Sequence, residues 1–263
     1  MVIRIKILNL SKNILITGIK GLIGKNTSKN LLHKGHKIIG IDISESHTDN
    51  KLDYYQCNLV SHIDTSKVLK KIFSKYKKID CLIHLAGIDY KLEKVNNQFF
   101  EKYLNISKPE IAMHSINSNI SMVYNIIYSL LPYFLEQNKS KIILAGSLYG
   151  SISPNPNLYI DKTGEPFFQK PIEYSISKSV FPIIAKYFCT HYASKGMIIN
   201  NIEPHAIIDE PNKDFMINFK NLSPMQRTCK VEEIVDFLSY LSLNNCDYLN
   251  GQTIKIDGGW SSS

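Results

Sequence analysis

The sequence predicts an α/β protein built on a doubly wound parallel sheet of about seven strands, with helices on both faces. Three observations predict it. Short apolar runs alternate with helix-length segments along the chain, as strands buried on both faces alternate with their crossover helices. Three glycines spaced three apart close the first apolar run and open the first helical one. An aspartate ends the second run, 24 residues beyond the first of those glycines (42 − 18 = 24). No linker, repeat or low-complexity segment divides the 263 residues, so 1–263 reads as a single domain.

The elements follow in order. "NILITG" (13–18) is a strand stopped by glycine, and "LIGKNTSKNLLHKG" (22–35) has helical spacing and a terminal Gly as its stop signal. "HKIIGIDI" (36–43) is strand-like, "SKVLKKIFSKY" (66–76) helical, and "IDCLIHLAG" (79–87) strand-like again. "NSNISMVYNIIYSLLPYF" (117–134) predicts a long helix, "SKIILAGS" (140–147) a strand, and the segment 173–196 a further helix. "MIINNIEP" (197–204), "VEEIVDFLSYLS" (231–242) and "QTIKIDGG" (252–259) give strand, helix and strand. Residues 88–112 and 151–172 break the pattern, being long and rich in Asn, Pro and Lys. Both follow strands at their carboxyl ends, where an open α/β sheet has its ligand crevice, so they are expected to lie over the substrate site.

Composition narrows the partners. The net charge is +8, yet of 31 basic residues only Arg4 and Arg227 are arginine. Phosphate and base-edge recognition lean on the bidentate guanidinium, so scattered lysines read as solvated surface and no nucleic-acid partner is expected. Cys57, Cys81, Cys189, Cys229 and Cys246 are odd in number and widely spaced, without a C-x-x-C. They read as reduced, buried apolar residues, with neither a disulfide framework nor a metal site. The start, "MVIRIKILNLSKN", lacks the pattern of a signal peptide, and no apolar run approaches the ~18 residues of a membrane span. The expectation is a cytoplasmic protein without a membrane partner.

Chemistry concentrates at two places. Gly18, Gly21 and Gly24 let the backbone turn tightly and approach a pyrophosphate at a helix amino terminus. Asp42 is placed to accept hydrogen bonds from adenosine ribose hydroxyls and to repel a 2′-phosphate, which favours NAD over NADP. Lys20, inside the glycine loop, argues the other way, but Asp42 lies closer to the discriminating hydroxyl. Two Tyr-x-x-x-Lys pairs occur, Tyr90 with Lys94 and Tyr174 with Lys178. Residues four apart share a helix face. Only Tyr174–Lys178 opens a predicted helix behind a serine-bearing strand, and Tyr90–Lys94 is read as an accident of composition.

From about residue 12 to 260 these motifs resemble the short-chain dehydrogenase/reductase family in its compact single-domain branch, with a Rossmann-type fold. The glycine loop matches over 17–24, and Asp42 falls at the NAD-selecting position. "CNL" (57–59) stands where an Asp-Leu pair lies beside the adenine, and "HLAG" (84–87) where "NNAG" is usual. Asn119, Ser147 with Gly150, Tyr174 with Lys178, "NIEP" (201–204) and "LNGQTIKIDGGW" (249–260) follow in the family's order.

The resemblance implies Asn119, Ser147, Tyr174 and Lys178 as the catalytic set. Tyr174 is the proton donor and acceptor, its pKa brought down by the nearby ammonium and the cofactor's positive ring. Ser147 holds the substrate oxygen, Lys178 also binds nicotinamide-ribose hydroxyls, and Asn119 holds a water that relays protons to Lys178. It implies cofactor contacts from Gly18, Lys20, Gly21, Leu22, Ile23 and Gly24, from Asp42, Ile43, Asn58 and Leu59, and from Leu85, Ala86 and Gly87. Tyr174, Lys178, Pro204, His205 and Ile207 complete that set. It also implies a homodimer or homotetramer paired through helices such as 117–137 and 173–194.

Several plainer readings stand beside these. Asn119 is read alternatively as a helix cap, His84 as a hydrogen-bonded core histidine, and His114 as an exposed loop residue. His205 replaces the family's usual Gly and either narrows the pocket, adds a polar contact or faces outward. Pro182 is expected to bend its helix beyond Lys178. The interval from Ser147 to Tyr174 is 27 residues (174 − 147 = 27), about twice the family's usual length. This insert and the tail resemble members encoded with bacterial flagellin-glycan and surface-polysaccharide pathways, which implies a sugar-like small-molecule substrate. The leading expectation is an NAD(H)-dependent interconversion of a secondary alcohol and a ketone. The alternatives are a sugar-nucleotide epimerase or dehydratase that retains its cofactor, and a non-catalytic dinucleotide-binding protein. The epimerases and dehydratases usually carry an added substrate domain, which argues for the first reading.

Overall fold

The computed structural model describes residues 11–45, 51–89, 108–207 and 212–262. Seven strands form one parallel sheet in the order β3-β2-β1-β4-β5-β6-β7. They are β1 (Asn13–Thr17), β2 (Lys37–Asp42), β3 (Asp53–Gln56), β4 (Cys81–His84), β5 (Ser140–Ala145), β6 (Met197–Pro204) and β7 (Thr253–Ile256). The chain moves outward from β1 to β3, then returns to place β4 on the other side of β1. That reversal opens a crevice beyond the carboxyl ends of β1 and β4, where ligands of such sheets bind.

Side-chain alternation fixes which helices cover which face. Leu15, Leu82, Ile142 and Leu144 point into one core with Leu69, Val123, Phe134 and Phe181. Ile14, Ile16, Ile83 and Ile143 point into the other, with Leu31, Ile234 and Leu238. The first face therefore carries α2 (His62–Tyr76), α3 (Pro109–Glu136) and α4 (Ile172–Tyr192), and the second α1 (Leu22–His33) and α6 (Val231–Leu243). Strands buried on both faces need apolar residues at every position, which is why their sequences read as continuous runs.

Four features differ from the sequence reading. β3 is a short edge strand, "DYYQ", only half-buried, so it lacks the apolar run that marks its neighbours. α5 (Lys213–Leu222) was not expected; Asn212 caps it by accepting from the amides of Asp214 and Phe215, and Phe215 and Phe219, four apart, bury one face. α3 begins at Pro109, so His114 is exposed on a helix rather than in a loop. Of the five cysteines, all free, only Cys57 and Cys81 are buried. α4 runs on through Pro182 to Tyr192. Among the described residues no helix is long and apolar enough to cross a membrane.

Candidate active site

The crevice begins at the glycine loop. Gly18 follows β1 with φ +67, and a Cβ there would lie 2.7 Å from the Ala86 amide nitrogen in the loop after β4. The two loops can touch only because residue 18 has no side chain. A Cβ at Gly24 would meet the Gly18 carbonyl at 2.3 Å. Gly21 caps α1, whose first turn carries no acidic residue. The free amides of that turn and the positive end of the helix therefore face the crevice with no carboxylate competing for them. Gly18, Gly21, Leu22, Ile23 and Gly24 all line the cavity that follows, of about 860 Å³.

At the end of β2, Asp42 accepts from the Lys20 amide at 3.0 Å and from the Ser44 amide and hydroxyl at 3.4 and 3.3 Å. The carboxylate is thus turned toward the glycine loop. The Lys20 ammonium lies 5.4 Å from the centre of the Tyr54 ring. Asp42, Lys20 and Ile43 lie outside the cavity wall, as do Asn58, Leu59 and Ala86. Asn58 spends its amide oxygen on the Val60 amide at 3.1 Å, a local turn before α2, and Leu59 is buried.

The other end of the cavity gathers Ser147, Tyr174 and Lys178. Ser147 ends the stretch after β5 and caps a 3-10 turn, Leu148–Gly150. That turn packs directly on α4: a Cβ at Gly150 would lie 2.7 Å from the Lys178 carbonyl. The close approach brings Ser147 beside Tyr174, and their hydroxyls share a hydrogen bond that pulls the phenol's pKa down. Burial outweighs it and pushes Tyr174 up to about 12. The sequence reading expected a lowered phenol, with Lys178 and the positive ring of a bound cofactor as the causes. In the structure the Lys178 ammonium donates to the Ala145 carbonyl at 3.1 Å and lies 6.0 Å from the centre of the tyrosine ring. Burial brings Lys178 itself down to about 8, opposed by Asp89 and assisted by Lys170.

Asn119 sits well inside α3, so it is no helix cap. Its side chain exchanges two hydrogen bonds with the Ile88 backbone, accepting at 2.7 Å and donating at 2.9 Å. It thereby pins the loop after β4. The same amide oxygen and the Lys178 ammonium converge on Gly87, at 3.3 and 3.4 Å from where its Cβ would stand. His84 is a core histidine, bonded to the Thr17 hydroxyl at 2.8 Å and held down to about 3 by burial.

The model of the short chain dehydrogenase family matches residues 12–160, more than half of the chain. The chain belongs to the short-chain dehydrogenase family. It is an oxidoreductase of CH–OH groups. Among curated relatives, a 3-oxoacyl-acyl-carrier-protein reductase of Thermotoga maritima is 25% identical over 261 residues, covering 93% of this chain and 96% of its own. Among solved structures, a short chain dehydrogenase from Leptospira borgpetersenii with bound NAD+ has a TM-score of 0.82 at 23% identity, covering 95% of this chain and 93% of its own. A gluconate 5-dehydrogenase from Burkholderia cenocepacia, in complex with NADP and tartrate, has a TM-score of 0.79 at 19% identity and covers 96% of both chains.

The far end of the cavity is walled by the long insert and α5. The insert after Ser147 contributes Tyr159, Phe167, Phe168 and Lys170 to the cavity, and α5 adds Phe215. Leu158, Tyr159, Phe215 and Phe219 form a separate small core that holds insert and α5 together. Tyr149 lines the same wall and pairs hydroxyls with Tyr159 at 3.0 Å. Sequence reasoning placed the insert here but named none of these residues; the aromatics within it and the Phe215–Phe219 spacing were the available signals.

His205 is not an outward-facing turn residue. It is 4% exposed, its ring 4.7 Å from Trp260 and 5.2 Å from both Tyr149 and Phe219, and burial lowers it to about 4. It lines the cavity with Pro204 and Ile207, while Leu85 and Gly87 line it from the β4 side. The Tyr90–Lys94 pair and most of the 88–112 loop fall outside the described residues.

Proposed function

We propose that this chain uses NAD(H) to interconvert a secondary alcohol and a ketone on a polar, sugar-like small molecule. The observation that carries the reading is the single cavity with the glycine loop at one end and Ser147, Tyr174 and Lys178 at the other. The glycine cradle and the acid-free start of α1 suit a pyrophosphate, and the Asp42 carboxylate suits unphosphorylated ribose hydroxyls. When bound, the cofactor supplies the hydride acceptor or donor.

The chain's own residues manage the proton. With a pKa near 12 the Tyr174 phenol stays protonated at neutral pH, set as the general acid that gives its proton to the carbonyl oxygen in reduction. Ser147 donates to that oxygen and keeps it near the phenol. Lys178 would hold the ribose hydroxyls of the cofactor, and its depressed pKa suits it to pass a proton on. Asn119 fixes the loop after β4 so that Gly87 and Ile88 frame the reacting centre; by family resemblance it would also hold the water of a relay to Lys178.

The reading includes one domain, in a cytoplasmic protein that works as a homodimer or homotetramer. Tyr124 and Tyr128 on α3 and Ile176, Ile183 and Tyr187 on α4 are exposed, which supports pairing through those helices. The aromatic wall gives flat faces against which the CH groups of a sugar ring can lie, while the Lys170–Asp89 pair supplies polar contacts. The gluconate 5-dehydrogenase among the structural neighbours acts on a compound of that chemistry. The test is a screen of keto-sugars and sugar alcohols for NADH consumption or formation, with Tyr174→Phe as control. Turnover lost in Tyr174→Phe supports the reading. Turnover retained in that variant refutes the assignment of the proton donor.

A further inference from the structure

Among the described residues, the ammonium closest to the Tyr174 ring is that of Lys170, not Lys178. Lys170 Nζ lies 4.1 Å from the ring centre, against 6.0 Å for Lys178 Nζ. Lys170 comes from the insert, four residues ahead of Tyr174, and its side chain is only 14% exposed. Asp89, in the loop after β4, grips the same ammonium with both oxygens, at 2.7 and 2.6 Å. All three residues line the cavity.

We propose that Lys170 is a positioning residue for the acid–base step: its ammonium, seated on the face of the Tyr174 ring and held there by Asp89, stabilises the phenolate left when Tyr174 gives up its proton. Its part in catalysis rests on Tyr174 being the proton donor. A cation over an aromatic face is attracted to the ring, and more strongly once the ring carries negative charge. Asp89 acts in the opposite sense, since its carboxylate disfavours a nearby phenolate, and burial of Tyr174 is reinforced by that charge. The pair therefore both anchors the insert across the mouth of the site and sets the charge felt by the phenol.

Among the described residues, the groups facing Tyr174 come from several surrounding elements. Ser147 bonds to it from the turn after β5, Tyr149 and Tyr159 present phenols from that turn and the insert, and Lys178 lies one turn along α4. Lys170 and Asp89 are the two opposite charges whose removal moves the phenol in opposite directions.

The experiment titrates the full chain with its tyrosines labelled by carbon-13 at Cζ, the Tyr174 resonance being assigned by its loss in Tyr174→Phe. It needs neither substrate nor cofactor, so its failure is separable from failure of the functional reading. Asp89→Asn is expected to lower the Tyr174 midpoint by about one pH unit, bringing it into a workable range. Adding Lys170→Met to Asp89→Asn is expected to raise it again by about one unit, while Lys170→Arg in the same background preserves the lower value. A Tyr174 midpoint that ignores Lys170→Met, with only the melting temperature falling, would show that Lys170 merely latches the insert and would overturn the proposal. Midpoints shifting the same way on removing either charge would overturn it as well.

Discussion

Replacing Lys178 with methionine measures what burial of its ammonium costs. The residue is 7% exposed, and its ammonium lies 4.6 Å from the centre of the Phe181 ring and donates a hydrogen bond to the Ala145 carbonyl. Its pKa falls from 10.5 to about 8, a gap that at about 1.36 kcal/mol per pH unit corresponds to roughly 3 kcal/mol. Methionine has similar length and no charge, so it removes that cost and leaves the Ala145 carbonyl short of one bond, a loss of about 1 kcal/mol. The net expectation is a variant more stable than the parent by about 2 kcal/mol at pH 7, near 5 °C in melting temperature, and without turnover.

The sign with pH follows from linkage. Between pH 8 and 10.5 the unfolded chain still holds the Lys178 proton while the folded chain has released it, so the parent gains stability as pH rises through that window. The advantage of methionine is therefore greatest below pH 8 and fades toward pH 10.5. Urea unfolding of both proteins across this range is the assay, the difference cancelling the titrations they share. A methionine variant less stable at pH 7, or a difference that does not change with pH, would refute the reasoning.

Three other outcomes are expected. Gly18→Ala places a methyl 2.7 Å from the Ala86 nitrogen at φ +67, so it should destabilise by about 2–4 kcal/mol and weaken NADH binding, read by unfolding and by NADH fluorescence. His205→Phe should flatten the acid side of the stability profile: the parent's imidazole, lowered from 6.5 to about 4, makes the folded state lose stability as pH falls through that interval, and phenylalanine has nothing to protonate. Gly150→Ala drives a methyl toward the Lys178 carbonyl, 2.7 Å away, so it should part Ser147 from Tyr174 and cut kcat while NADH affinity is kept.

The strands flanking the crevice were legible because burial on both faces forces unbroken apolar runs such as Ile14–Ile16 and Ile142–Leu144. β3 was not, since an edge strand with half-buried residues carries no such constraint. The glycine loop and the spacing of Tyr174 from Lys178 could be read because each is local: a backbone turn in one case, one helix turn in the other. The electrostatics could not. Which of the described ammonium groups lies nearest the phenol depends on Lys170 and Asp89, 81 residues apart, meeting at the cavity. His205 illustrates the same limit, for its burial is decided by Tyr149, Phe219 and Trp260 arriving from three distant segments.

The claim on which the account depends is that the crevice between β1 and β4 is a dinucleotide site in which Asp42 selects the cofactor. Titrating the protein with NADH and with NADPH by fluorescence, alone and as Asp42→Ala, tests it most directly. NADH is expected to bind clearly tighter than NADPH, with the gap narrowing or closing in Asp42→Ala. NADPH bound as tightly as NADH by the parent, or no binding of either, would contradict it.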